Sequence, residues 1–167
     1  VNVSTNDTHE HSAFIDWNKS LVGWWNFEYV SSSGTVFDNS TYSNDGTLEN
    51  HANTAVPGRR GQAIDFNGVG NRVTIADNPS LDGICSQVTV SAWIKADTSP
   101  DAQGIFEKSI GQTVNTQFLL FVPSADQNDF RFRIDDGGAQ DATTTENLLV
   151  ANQWIHVVGT YDGTALR

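Results

Sequence analysis

From Gln87 to Ala96 the chain reads Q-V-T-V-S-A-W-I-K-A, with Val88, Val90, Ala92 and Ile94 at every second position and Thr89, Ser91, Trp93 and Lys95 between them. A period of two puts the apolar set on one face of a β-strand and is incompatible with an amphipathic helix. Gln153 to Gly159, Q-W-I-H-V-V-G, repeats the character and runs into Tyr161-Asp162-Gly163-Thr164, where Asp-Gly marks a tight turn. The two stretches are expected to be central strands of one β-sandwich. A central strand has both faces covered, so Trp93 is expected to be structural, as are Trp24, Trp25 and Trp154.

Shorter strands are expected around this pair. Leu21 to Glu28, L-V-G-W-W-N-F-E, reads as an aromatic strand, and Gly61 to Ile75 as two short strands joined by an Asn67-Gly68 turn. Pro79 fixes a turn over Asp77 to Asp82, and Ile105 to Lys108 and Phe118 to Val122 are further strands. In Asp129 to Asp135, Phe130, Phe132 and Ile134 alternate with Asp129, Arg131, Arg133 and Asp135, giving one core face and one wet face. Ala139 to Glu146 reads as polar connection. No segment holds a helical period of apolar positions, so the fold class is all-β, an antiparallel two-sheet β-sandwich. Residues 1–13 are polar and read as a linker or the tail of a preceding domain; residues 14–167 form the sandwich domain.

Composition narrows the function. Nine basic residues against 20 acidic ones give a net charge of −11 with no basic run, which argues against a nucleic-acid partner. The single cysteine, Cys85, excludes an internal disulfide and a cysteine-based zinc site, and no apolar run is long enough to span a membrane. Sequons at Asn2, Asn6, Asn18 and Asn39 point to an extracellular or cell-surface life. His9-Glu10-His11 lies on a polar terminal segment and reads as solvated.

Six stretches taken together resemble the LamG-like jelly-roll domains of the concanavalin A-like lectin/glucanase superfamily. They are L-V-G-W-W-N-F-E at 21–28, F-D-N-S-T-Y-S-N-D-G-T-L at 37–48, G-Q-A-I-D-F-N-G at 61–68, V-T-I-A-D-N-P-S-L-D at 73–82, V-T-V-S-A-W-I-K-A at 88–96 and W-I-H-V-V-G-T-Y-D-G-T at 154–164. In that family the Y-D-G turn leads into further strands that close the sandwich. The resemblance therefore implies ~40 more residues than this sequence carries after that turn, too many for a loop variation. Strands from the same chain, or from a neighbouring subunit by self-assembly through unpaired edges, are expected to fill that place, and residues 1–167 alone are not expected to be a stable monomer.

The oxygen-rich loop Asp38-Asn39-Ser40 to Asn44-Asp45-Gly46 offers carboxylates, amides and carbonyls of the kind calcium takes, with Gly46 for a sharp backbone turn. Asn-Asp-Gly is also an ordinary turn that Asp38 would cap. The resemblance implies a calcium site at the rim, with Asp38 and Glu28 as matching carboxylates and Asn44 and Gly46 beside them. A retaining glycosidase needs paired carboxylates, and the nearest approach, Arg131 to Asp136, lacks both glutamates of the family's enzymes. His156 has no visible triad and reads as a hydrogen-bonded structural residue. Trp17, outside the strongest motifs, is the candidate ligand-stacking aromatic. The expected function is a non-catalytic extracellular module that recognises a carbohydrate or a protein partner, assisted by calcium. A structural or adhesive unit of a surface layer is the alternative.

Overall fold

The computed structural model describes residues 19–50, 53–82, 87–97, 103–110, 115–123, 128–135, 138–145 and 147–167. Trp17, Cys85, His9 to His11 and the sequons at Asn2, Asn6 and Asn18 lie outside them. The chain forms two compact units, Val1–Leu81 and Asp82–Arg167.

In the first unit, β1 (Thr35–Val36), β2 (Gly46–Glu49) and β5 (Arg72–Ile75) form an antiparallel sheet, and β3 (Asn53–Pro57) pairs with β4 (Gln62–Asp65) as a hairpin. Val36 and Ile64 are the buried centre, with Trp25, Phe27, Val30, Leu48 and Val73 packed around them. Two expectations fail here. Leu21 to Glu28 is not a strand, because Trp24 trades ladder partners for the next loop: its N–H donates to the Asp38 carboxylate at 2.7 Å and its carbonyl accepts from Asn39 N–H at 2.8 Å. Phe27, at a left-handed φ of 61°, also cannot continue an extended run. Nor do the strands either side of Asn67-Gly68 pair with each other: β4 bonds to β3 and β5 to β2, so the connection crosses between sheets. The turn at Pro79 closes as one turn of 3-10 helix, Pro79–Leu81, which Asn78 caps by accepting Ser80 N–H on its side chain.

In the second unit, β7 (Gln103–Ile110), β8 (Asn115–Val122), β9 (Arg131–Asp135) and β10 (Ala139–Thr143) form a four-stranded antiparallel sheet in the order β10-β9-β8-β7. The two stretches expected as central strands are both strands, and they pair with each other: β6 (Val88–Ile94) meets β11 (Ile155–Tyr161) in an unbroken antiparallel register from Val88 opposite Tyr161 to Ile94 opposite Ile155. Phe118, Leu120, Val122, Phe130, Phe132, Ile134 and Leu149 form one core with Val90 and Val157, so the β6–β11 pair faces the four-stranded sheet. Burial of each of these side chains contributes ~1.5–3 kcal/mol. Phe130, Phe132 and Ile134 are buried as their alternation requires. Asp129, expected on the wet face, is instead buried, accepting Thr144 Oγ1–H at 3.0 Å and Asn147 N–H at 2.9 Å. Residues 139–143, expected as loop, are the edge strand β10, whose polar side chains are exposed as an edge permits. After the Asp162 turn, Arg167 exchanges two main-chain hydrogen bonds with Thr160, so the chain folds back on β11.

Candidate functional site

The Asp38 loop is built by its own carboxylates. Asp38 Oδ1 accepts N–H bonds from Trp24 at 2.7 Å and Ser40 at 2.8 Å, and Oδ2 accepts the Ser40 hydroxyl at 2.7 Å and Asn44 N–H at 2.8 Å. Asp38 N–H in turn donates to Asp45 Oδ1 at 2.8 Å. Burial pushes the Asp38 carboxyl up, but the Ser40 hydroxyl and the three N–H donors together hold it below the usual carboxylate range. Asn44, also buried, donates to Val22 O at 2.7 Å and to Ser80 Oγ at 3.0 Å, while its carbonyl accepts Trp25 Nε1–H at 2.9 Å.

Of the residues expected to hold calcium, the structure joins only Asp38 and Asn44. Glu28 lies at a different turn, accepting Gln62 N–H at 3.3 Å, where a Cβ on Gly61 would collide with its carboxylate. Gly46 sits in the β2 ladder opposite Ile75, where a Cβ would strike Val73. Four donors already occupy both Asp38 oxygens, and no three His, Cys, Asp or Glu side chains converge as a metal-holding group among the described residues. The bonds on both of its oxygens make Asp38 the cap of its turn.

The outer face of β6 and β11, away from the core, is different. Thr89, Ser91 and Trp93 alternate outward on β6, with Lys95 just past its end, and His156, Val158 and Thr160 on β11. Trp93, expected in the core, is 49% exposed, because the alternation that buries Val90 puts Trp93 on the opposite face. His156 lies directly across the ladder and stacks on the indole at 5.0 Å between ring centres and 27° between planes. Its Nε2 is 2.8 Å from Ser91 Oγ, which fixes the imidazole against the sheet. Beyond them the Lys95 ammonium stands over the Trp154 ring at 5.4 Å. The sequence carried this signal: Trp93 shares its alternate positions with Thr89, Ser91 and Lys95, three polar residues that no core strand face would hold together.

The outer face of the four-stranded sheet is closed by its own charges. The Arg131 and Arg133 guanidiniums each lie 5.6 Å from the centre of the Phe121 ring, and Arg133 makes a two-pronged pair with Asp141 at 2.7 and 2.8 Å. The Arg133 bonds hold Asp141 below the usual carboxylate range against a desolvation cost. Both arginines thus meet Asp141 of β10 across the ladder, Arg133 at 2.7 Å and Arg131 at 3.6 Å.

A family model described as the concanavalin A-like lectin/glucanases superfamily, of laminin G type, matches residues 67–167. The chain belongs to this superfamily. Its antiparallel sheets, and the lack of α-helix among the described residues, are consistent with the superfamily's β-sandwich. The matched span takes in β5 through β11, and with them the Trp93 face; the Asp38 loop precedes it. Among curated proteins and among solved structures, none matches the chain. Membership carries the general role of a carbohydrate- or protein-binding module.

Proposed function

We propose that this chain is a non-catalytic, extracellular recognition module that takes carbohydrate on the outer face of β6 and β11. The observation that carries the reading is Trp93: a large aromatic on a regular strand, half exposed, and held in one orientation by a stacked histidine. Sugar rings present an apolar C–H face beside hydroxyls, and an indole flanked by Ser91 and Lys95 answers both. A non-catalytic role is supported by the use of two acidic groups at the four-stranded sheet. Asp129 is bonded into the loop that follows β10, and Asp141 is paired with Arg133. The extracellular assignment is supported by the habit of laminin G-like domains and by the sequon at the exposed Asn39.

The test is a panel of immobilised glycans probed with the 167-residue chain, alongside a melting curve to show that it is folded. Saturable binding to one glycan class is expected. A folded chain that retains nothing on the panel overturns the reading and leaves the structural or surface-layer role.

A further inference from the structure

We infer that Asn67 is a site of spontaneous deamidation, at which the Gly68 main-chain nitrogen closes on the Asn67 side-chain amide and the residue becomes aspartate or isoaspartate. This holds whatever β6 and β11 bind. Asn67-Gly68 is the one Asn-Gly pair in the chain, and glycine has no Cβ to hinder the approach of its nitrogen. Both residues are exposed in the link between β4 and β5, as are Phe66, Val69 and Gly70 around them. Among the described residues the Gly68 N–H has no hydrogen-bond partner, so its proton is open to loss to water. Asn67 Oδ1 accepts the Val69 N–H at 2.8 Å. That bond draws electron density away from Cγ and steadies the negative charge that grows on Oδ1 as the nitrogen attacks.

In the first step a bond forms from Gly68 N to Asn67 Cγ and the Cγ–Nδ2 bond breaks, the amide leaving as ammonia with the proton that Gly68 gave up. Water then opens the five-membered imide. Cleavage at Cγ gives aspartate; cleavage at the original main-chain carbonyl gives isoaspartate, which routes the backbone through the side chain and lengthens it by a methylene. The link has little slack for that, since Asn67 N–H donates to Asn71 Oδ1 at 2.9 Å and Asn71 Nδ2 to Asn50 O at 2.5 Å. The fold protects the competing sites. In Asn39-Ser40 the attacking Ser40 N–H is held by Asp38 Oδ1 at 2.8 Å. In Asp45-Gly46 the glycine is buried and fixed in the ladder between Val36 and Ile75. In Asp162-Gly163 the carboxylate accepts bonds from Thr164, Ala165 and Arg167, which keep it ionised and hence a poor electrophile.

The 167-residue chain should be aged in mildly alkaline buffer, native and in urea, and digested with trypsin, which releases Asn67 in the peptide Gly61–Arg72. Fragmentation of that peptide is expected to place a gain of one mass unit at Asn67, part of it as isoaspartate. In the native chain Asn67 should react at a rate within about tenfold of that in urea, whereas Asn39 should be slowed about tenfold or more by folding. Asn67→Gln, whose longer side chain would have to close a less favourable six-membered ring, is expected to leave the same peptide unmodified at that position. The parent time course decides by itself if that variant does not fold. An Asn67 that reacts in urea but stays intact in the native chain would show that the fold shields it and would overturn the inference. So would modification of Asn39 ahead of Asn67 in the native chain.

Discussion

Asp38 shows how one side chain can organise a loop. It accepts four hydrogen bonds, three of them from main-chain N–H groups of Trp24, Ser40 and Asn44. Replacing it with alanine strands donors in a half-buried loop, at ~1–3 kcal/mol for each that water cannot reach. Asp38→Ala is therefore expected to lower the chemical-denaturation midpoint, and the loss should be the same with millimolar calcium or with chelator. A calcium-dependent difference between parent and variant would instead show an ion-ligand role for Asp38. The protonation sign follows from the same bonds. The carboxyls of Asp38, Asp141 and Asp162 are each held below their ordinary range: Asp38 by Ser40 and N–H donors that outweigh its burial, Asp141 chiefly by Arg133, and Asp162 chiefly by Thr164. Their contribution to stability is full above the unfolded carboxylate pKa of ~3.9 and is lost as pH falls through the lower folded values. Melting should accordingly hold steady from neutral pH to about pH 5 and fall steeply below about pH 4. A melt that improves on acidification through that window would contradict the assignment.

Among the elements, the regular alternations were legible and the exchanges of backbone partners were not. β6, β9 and β11 declare themselves because each buries one face, so their side-chain period is imposed by the core. Leu21 to Glu28 looks like a strand by content, but whether Trp24 bonds to a neighbouring strand or to the Asp38 carboxylate is decided by a residue 14 positions away. β10 was hidden for the opposite reason: its residues Ala139–Thr143 are mostly exposed, so no apolar alternation marks it, and the ladder to β9 with the Arg133–Asp141 pair defines it. The Trp93 face was written in the alternation and was misread only because a tryptophan in a central strand was taken for core. Packing of β11 on the four-stranded sheet yields a sharper test. A Cβ on Gly159 would lie 2.5 Å from Phe132 Cγ, so Gly159 is the residue that lets this strand approach the ring. Gly159→Ala is expected to cost ~1–3 kcal/mol through overpacking, despite the usual gain from replacing a strand glycine. A companion Phe132→Leu change should recover part of the loss; a Gly159→Ala protein as stable as the parent would mean that β11 does not sit against Phe132.

For the whole molecule, charge is the property that distinguishes stability from recognition. The net charge of −11 makes the folded chain repel itself, while the exposed pairs Arg133–Asp141 and Arg167–Asp162 pull the other way. Exposed pairs contribute at most ~1 kcal/mol each and are screened together with the repulsion. Uncompensated carboxylates outnumber the pairs, so screening should help on balance. Raising sodium chloride from 10 mM to 500 mM is expected to raise the melting temperature by a few degrees, ~2–4 °C per kcal/mol for a chain of this length. A falling melting temperature would show that the ion pairs outweigh the repulsion. On the proposed reading recognition should respond differently, because a sugar that packs on an aromatic of the β6–β11 face needs no long-range attraction. Affinity for a neutral oligosaccharide found on the glycan panel is therefore expected to stay within about twofold across the same salt range, whereas binding of a charged ligand would change steeply as the Debye length shrinks. Measured on one sample, a melt that climbs with salt and a dissociation constant that does not move would separate the global field from the local platform. A dissociation constant that rises severalfold instead would show that charge, and not the indole face, carries the binding.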